Sequence, residues 1–99
     1  MSGEGEGRLL GRRLVAEGRV QGVGFRWFVL RQAQALGVQG WVRNLPDGRV
    51  EVVGLASPEA LAQLEALVQE GPPGSRVTRV TSADVPHEDV DAKSFTVRH

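Results

Sequence analysis

Between residues 12 and 20, apolar Leu14, Ala16 and Val20 alternate with Arg13, Glu17 and Arg19. That period of two marks a strand with one face inward. From Phe25 the period changes. Phe25, Phe28, Val29, Ala33 and Leu36 fall at helical spacing, interrupted only by Gln32, and Gly37 is placed to end the helix. Residues 38–44 return to alternation, with Val38, Gly40 and Val42 set against Gln39, Trp41 and Arg43. The turn Leu45-Pro46-Asp47-Gly48 then leads into a return strand over residues 49–54, which completes a hairpin. Ser57-Pro58-Glu59 has the residue types of a helix start: an N-cap, a proline at the first position and an acid near the positive end of the dipole. Leu61, Leu64, Leu67 and Val68 form the buried stripe of that second helix, and Gly71-Pro72-Pro73-Gly74 stops it. Residues 76–85 alternate Val77, Thr81, Ala83 and Val85 with polar neighbours, as suits a charged sheet edge. An acidic loop follows over residues 86–93, and Ser94-Phe95-Thr96-Val97-Arg98 is a short last strand whose pairing partner the pattern does not fix.

The order βαββαβ with a short fifth strand predicts an α+β fold, a ferredoxin-like sandwich: an antiparallel sheet with two helices on one face. In that topology the first and second strands end at the same sheet edge, with the return strand of the hairpin between them. Two strand spacings then separate the residues after the first strand from Asn44 by ~10 Å.

That juxtaposition gives meaning to Gly18-Arg19-Val20-Gln21-Gly22-Val23-Gly24-Phe25-Arg26, the passage from first strand to first helix. Glycines allow positive φ, so successive backbone N–H groups can converge on one point. The helix start adds its own unpaired N–H groups and dipole, and Arg26 adds a guanidinium fork suited to phosphate. The spacing matches neither a Walker A loop, because Phe25 and Arg26 follow Gly24 where Lys and Ser or Thr are required, nor a dinucleotide fingerprint, whose third glycine would fall at Trp27. Read from the loop alone, an anion cradle stands beside an ordinary strand-to-helix turn with a solvated arginine. Asn44 likewise reads either as the end of a strand before Pro46 or as a carboxamide that fixes a water toward phosphorus. Arg26 and Asn44 offer no general acid, so the pair suits a substrate whose leaving group needs no proton. An acyl phosphate leaves as a carboxylate of pKa near ~4 and meets that condition.

Composition narrows the alternatives. The 99 residues carry 12 basic and 12 acidic side chains, so no general field draws nucleic acid or an anionic membrane. RNA-binding domains share the βαββαβ order, but they stack bases on aromatics of the two central strands, and neither residues 12–20 nor 49–54 contain one. The absence of cysteine excludes disulfides, thiolate metal sites and a cysteine nucleophile. Residues 1–8 combine glycine with charge and read as a disordered tail ahead of one domain over residues 9–99. No run approaches the ~20 apolar residues of a membrane span. The expectation is a cytoplasmic monomer. Eleven of the 12 basic residues are arginine, Asn44 is the sole asparagine and Met1 the sole methionine; the depletion of thermolabile residues points to a heat-adapted source or to the base composition of the genome. His87 and His99 have no partner spacing for a metal or a triad and read as solvated. Trp27 and Trp41 read as rim packing, with substrate contact the lesser alternative, and Arg43 as a surface ion-pair residue.

The loop, with Gly40-Trp41-Val42-Arg43-Asn44 and Pro46-Asp47-Gly48 downstream, closely resembles the acylphosphatase family, and the likeness extends from about Arg12 to Arg98. The resemblance implies the ferredoxin-like sandwich and hydrolysis of the carboxyl–phosphate bond of small acyl phosphates, with no metal or other cofactor. It implies Arg26 as phosphate binder, Asn44 as the residue that orients water, and Gln21, Gly22, Val23, Gly24 and Phe25 as the backbone cradle. A non-catalytic phosphate-binding or regulatory module on the same fold is the alternative. Acylphosphatase-like domains also open larger maturation proteins that continue into cysteine-rich zinc modules. The absence of cysteine and the end at His99 point instead to a stand-alone enzyme.

Overall fold

The computed structural model describes residues 8–99, so the expected tail, apart from Arg8, lies outside the described residues. The elements follow the order β1 (Leu10–Arg19), α1 (Phe25–Leu36), β2 (Gln39–Asn44), β3 (Val50–Ala56), α2 (Pro58–Glu70), β4 (Arg76–Val85), a short 3-10 turn (His87–Asp89) and β5 (Phe95–Arg98). The sheet order is β4-β1-β3-β2-β5. Strands β4, β1, β3 and β2 pair antiparallel throughout, as expected. The last strand pairs parallel with β2, Gly40 opposite Phe95 and Arg43 opposite Arg98, which makes the sheet mixed. Strands β1 and β3 run longer than the alternation marks, because their pairing continues to Leu10 opposite Ala56. The alternation weakens there at Gly11 and Gly54, which carry no side chain to count.

One face of the sheet holds the core. Leu14 and Ala16 of β1, Val50 and Val52 of β3, Val42 of β2 and Phe95 of β5 meet Phe25, Val29 and Ala33 of α1 and Leu61, Leu64 and Val68 of α2. Full burial of each large side chain contributes about 1.5–3 kcal/mol. Phe28 and Leu36, expected in the α1 stripe, flank the core half-buried.

The helix starts are treated differently. Helix α2 is capped: Ser57 Oγ accepts a hydrogen bond from Ala60 N at 3.2 Å, Pro58 holds the first position and Glu59 lies in the first turn. Helix α1 has Gly24 as its N-cap in the left-handed region (φ 75°, ψ 20°), no side-chain cap and no acidic residue in its first turn. The positive end of its dipole is left without a protein partner.

Candidate active site

Sheet register places Asn44. Ala16, Val50 and Asn44 are aligned across three neighbouring strands, and residues directly opposite one another in antiparallel pairs project to the same face. Ala16 and Val50 are fully buried on the helix-covered face. Asn44 therefore projects toward the helices too, but at the open end of the sheet, where its side chain is exposed. The loop after β1 emerges at that same end, since β1 and β2 both run antiparallel to β3 between them. A cavity of about 170 Å3 opens there, lined by Val20, Gly22, Gly24, Phe25, Arg26, Trp27 and Asn44. A larger hollow of about 340 Å3 lies at the other end of β1, against residues 8–11 and 84–88.

The loop bends through Gly22 and Gly24, both at φ +75°. The first hydrogen bond of α1 runs from Phe28 N to Gly24 O at 3.0 Å. Among the described residues, the N–H groups of Gly22, Val23, Gly24, Phe25 and Arg26 donate to no other backbone carbonyl and to no capping side chain. A run of unpaired donors around a cavity, at the positive end of a helix, is the geometry of an anion nest. The half-buried Arg26 adds its guanidinium to the same cavity. Among the described residues, no group of three or more His, Asp or Glu side chains is arranged to hold a metal ion.

Of the residues singled out in the sequence, Gly22, Gly24, Phe25, Arg26 and Asn44 come together at this cavity, while Gln21 and Val23 do not line it. The Gln21 carboxamide has another partner: its Nε2 donates to Leu45 O at 2.9 Å and to Arg49 O at 3.0 Å. Leu45 N also donates to Arg49 O at 2.8 Å. Gln21 therefore ties the loop to the end of the hairpin that carries Asn44. Its place in a cradle sequence gave no sign of this cross-link.

His99 is not the idle side chain the sequence indicates. Its Nδ1 lies 3.3 Å from Arg26 Nη1, a contact in which the neutral imidazole accepts. Parallel pairing explains it, because β5 ends beside the end of β2 and delivers the next residue to the Asn44 edge.

The helix-free face of the sheet carries the other polar cluster. The side chain of Glu51, on the central strand β3, is 7% exposed. Arg13 Nε and Arg43 Nε each donate to it at 2.6 Å, one to each carboxylate oxygen. Burial raises the carboxyl pKa, and the hydrogen bonds from Arg13 and then Arg43 outweigh that and hold it below the usual range. Arg43 is thus an ion-pair residue, as expected. Trp41 lies under the Arg98 guanidinium, 3.8 Å from its ring centroid, and not at the cavity.

The acylphosphatase family model matches residues 12–97. The chain belongs to the acylphosphatase family. It is 60% identical over 63 residues to an acylphosphatase of Thermococcus kodakarensis, covering 64% of this chain and 69% of that one. It is 46% identical over 90 residues to an acylphosphatase of Bifidobacterium longum, covering 91% and 93%. The solved structure of an acylphosphatase from Coxiella burnetii superposes with a TM-score of 0.87 at 34% identity, covering 96% of this chain and 98% of that one. The chain is accordingly an acylphosphatase, with the family's five-stranded sheet and two helices, and no helix among the described residues is long and apolar enough to cross a membrane.

Proposed function

We propose that this acylphosphatase works at the cavity between the glycine loop and Asn44, with each step assigned to a group that lines or borders it. The phosphoryl group sits in the nest formed by the N–H groups from Gly22 to Arg26, and Arg26 grips two of its equatorial oxygens. Asn44 holds a water, accepting from it and donating to it so that a lone pair faces phosphorus. The water oxygen bonds to phosphorus as the bond to the acyl oxygen breaks, and its electron pair leaves on the carboxylate. One water proton passes to a phosphate oxygen of the substrate, so neither a general base nor a general acid is needed. Charge growing on the equatorial oxygens is met by donors already in place, each worth roughly 3–4 kcal/mol in such a site. Gln21 acts in this scheme by fixing the distance between the two halves and not by touching substrate.

The observation that carries the reading is the bare N-terminus of α1, which shares its cavity with Arg26 and Asn44 while α2 has a side-chain cap. The direct test is hydrolysis of benzoyl phosphate by the full chain, with inorganic phosphate as competitive inhibitor. Turnover inhibited by phosphate is the expected result. Phosphate binding without turnover would leave a phosphate-binding module. A cytoplasmic, monomeric enzyme of one domain from a heat-adapted source completes the proposal, the heat adaptation resting on a chain with one asparagine, Asn44, and one methionine, Met1. Size-exclusion chromatography and a thermal melt check the monomer and the heat adaptation.

A further inference from the structure

The nest and Asn44 account for the phosphoryl half of the substrate and leave the acyl half unassigned. The cavity lining supplies a candidate by elimination. Three of its side chains are large and apolar: Val20, Phe25 and Trp27. Val20 and Phe25 are each 1% exposed, committed to the core and with no surface to offer. Trp27 is 55% exposed. The only other large apolar side chain so exposed among the described residues, Leu9, lies against the distant hollow at the start of β1. An indole more than half exposed gains little from the core and keeps an apolar face free at the cavity. It stands next in sequence to Arg26, in the first turn of α1.

The chemistry proposed above also fixes where the acyl group must go. In an in-line displacement the leaving oxygen departs on the side of phosphorus opposite the attacking water. With the water on Asn44, the carboxylate leaves away from Asn44. The remaining lining is glycine backbone, a guanidinium and the indole, and the indole alone presents an apolar face.

We propose that Trp27 is the platform for the acyl group, so that this enzyme favours acyl phosphates with an aromatic acyl group over short alkyl ones. This rests on the hydrolytic reading of the same cavity. An aromatic ring against an indole gains about two- to tenfold in affinity over a group too small to cover it.

The test compares wild type, Trp27→Ala and Trp27→Phe on benzoyl phosphate and acetyl phosphate. Trp27→Ala is expected to raise KM for benzoyl phosphate about two- to tenfold with kcat nearly unchanged, and to leave acetyl phosphate and the inhibition constant of inorganic phosphate where they were. Trp27→Phe should recover most of the loss. An equal rise of KM for both substrates, or no change for either, would overturn the proposal. Calorimetric binding of phenacylphosphonate and acetonylphosphonate, in which CH2 replaces the bridging oxygen, gives the same comparison without turnover. Loss of the aromatic preference in Trp27→Ala supports the platform even if no substrate is hydrolysed, and an unchanged preference rejects it even if hydrolysis is fast.

Discussion

Arg26 meets the cavity from the first turn of α1 with one guanidinium nitrogen 3.3 Å from His99. In the proposed mechanism its fork of donors holds the phosphoryl group, and a point charge does not reproduce that fork. Arg26→Ala should abolish measurable turnover, and Arg26→Lys should be nearly as damaging; initial rates on an acyl phosphate decide both. Gly22 makes a different demand. Its φ of +75° is the left-handed region, and a Cβ there would meet no protein atom within 4 Å, so the cost of a side chain is backbone strain and not a clash. Gly22→Val should therefore leave the fold cooperative but shift the loop, weakening inorganic phosphate binding on the order of tenfold by calorimetry. That these two residues meet at one cavity was legible in the sequence, because their types are rare solutions to a stated need. The contacts of Gln21 and His99 were not. Each acts through a partner distant in sequence, and no local spacing encodes a contact from residue 21 to 45 or from 26 to 99.

Most elements could be read from apolar periodicity and punctuation: both helices, the hairpin and the charged edge strand β4 fall where the pattern puts them. The partner of β5 could not, because the alternation of Phe95 and Val97 identifies an inward face but not a neighbour. The helix-free face was also hidden, since no local pattern marks Glu51, which is covered by two arginines from the neighbouring strands. Its consequence belongs to the sheet as a whole, because Arg13, Glu51 and Arg43 join β1, β3 and β2 side by side. With its folded-state pKa held below the ordinary 4.5, Glu51 stabilises the fold above that value and loses the contribution as pH falls through the lower folded value. Glu51→Gln should lower stability at pH 7 by about 1–2 kcal/mol, the pair being part-exposed on its arginine side. Urea unfolding should show the gap between wild type and variant closing in strong acid. A gap independent of pH would assign the loss to shape and not to charge.

The whole molecule brings two chain segments separated by α1 and β2 to one sheet edge and sets unpaired donors and a carboxamide around the space between them. Because amides and a guanidinium supply the positive charge in this scheme, excess EDTA should leave the hydrolysis rate unchanged, and a rate restored only by added divalent metal would contradict it. The central claim is a division of labour: the loop and Arg26 hold phosphate, and Asn44 holds water. The measurement that tests it most directly is kcat on benzoyl phosphate beside the inhibition constant of inorganic phosphate, for wild type and Asn44→Ala. The account predicts that kcat falls on the order of 10²-fold or more while phosphate binds nearly as before, as expected for a contact made in the transition state. Loss of phosphate binding in step with kcat would make Asn44 a ligand of the phosphoryl group and contradict the account.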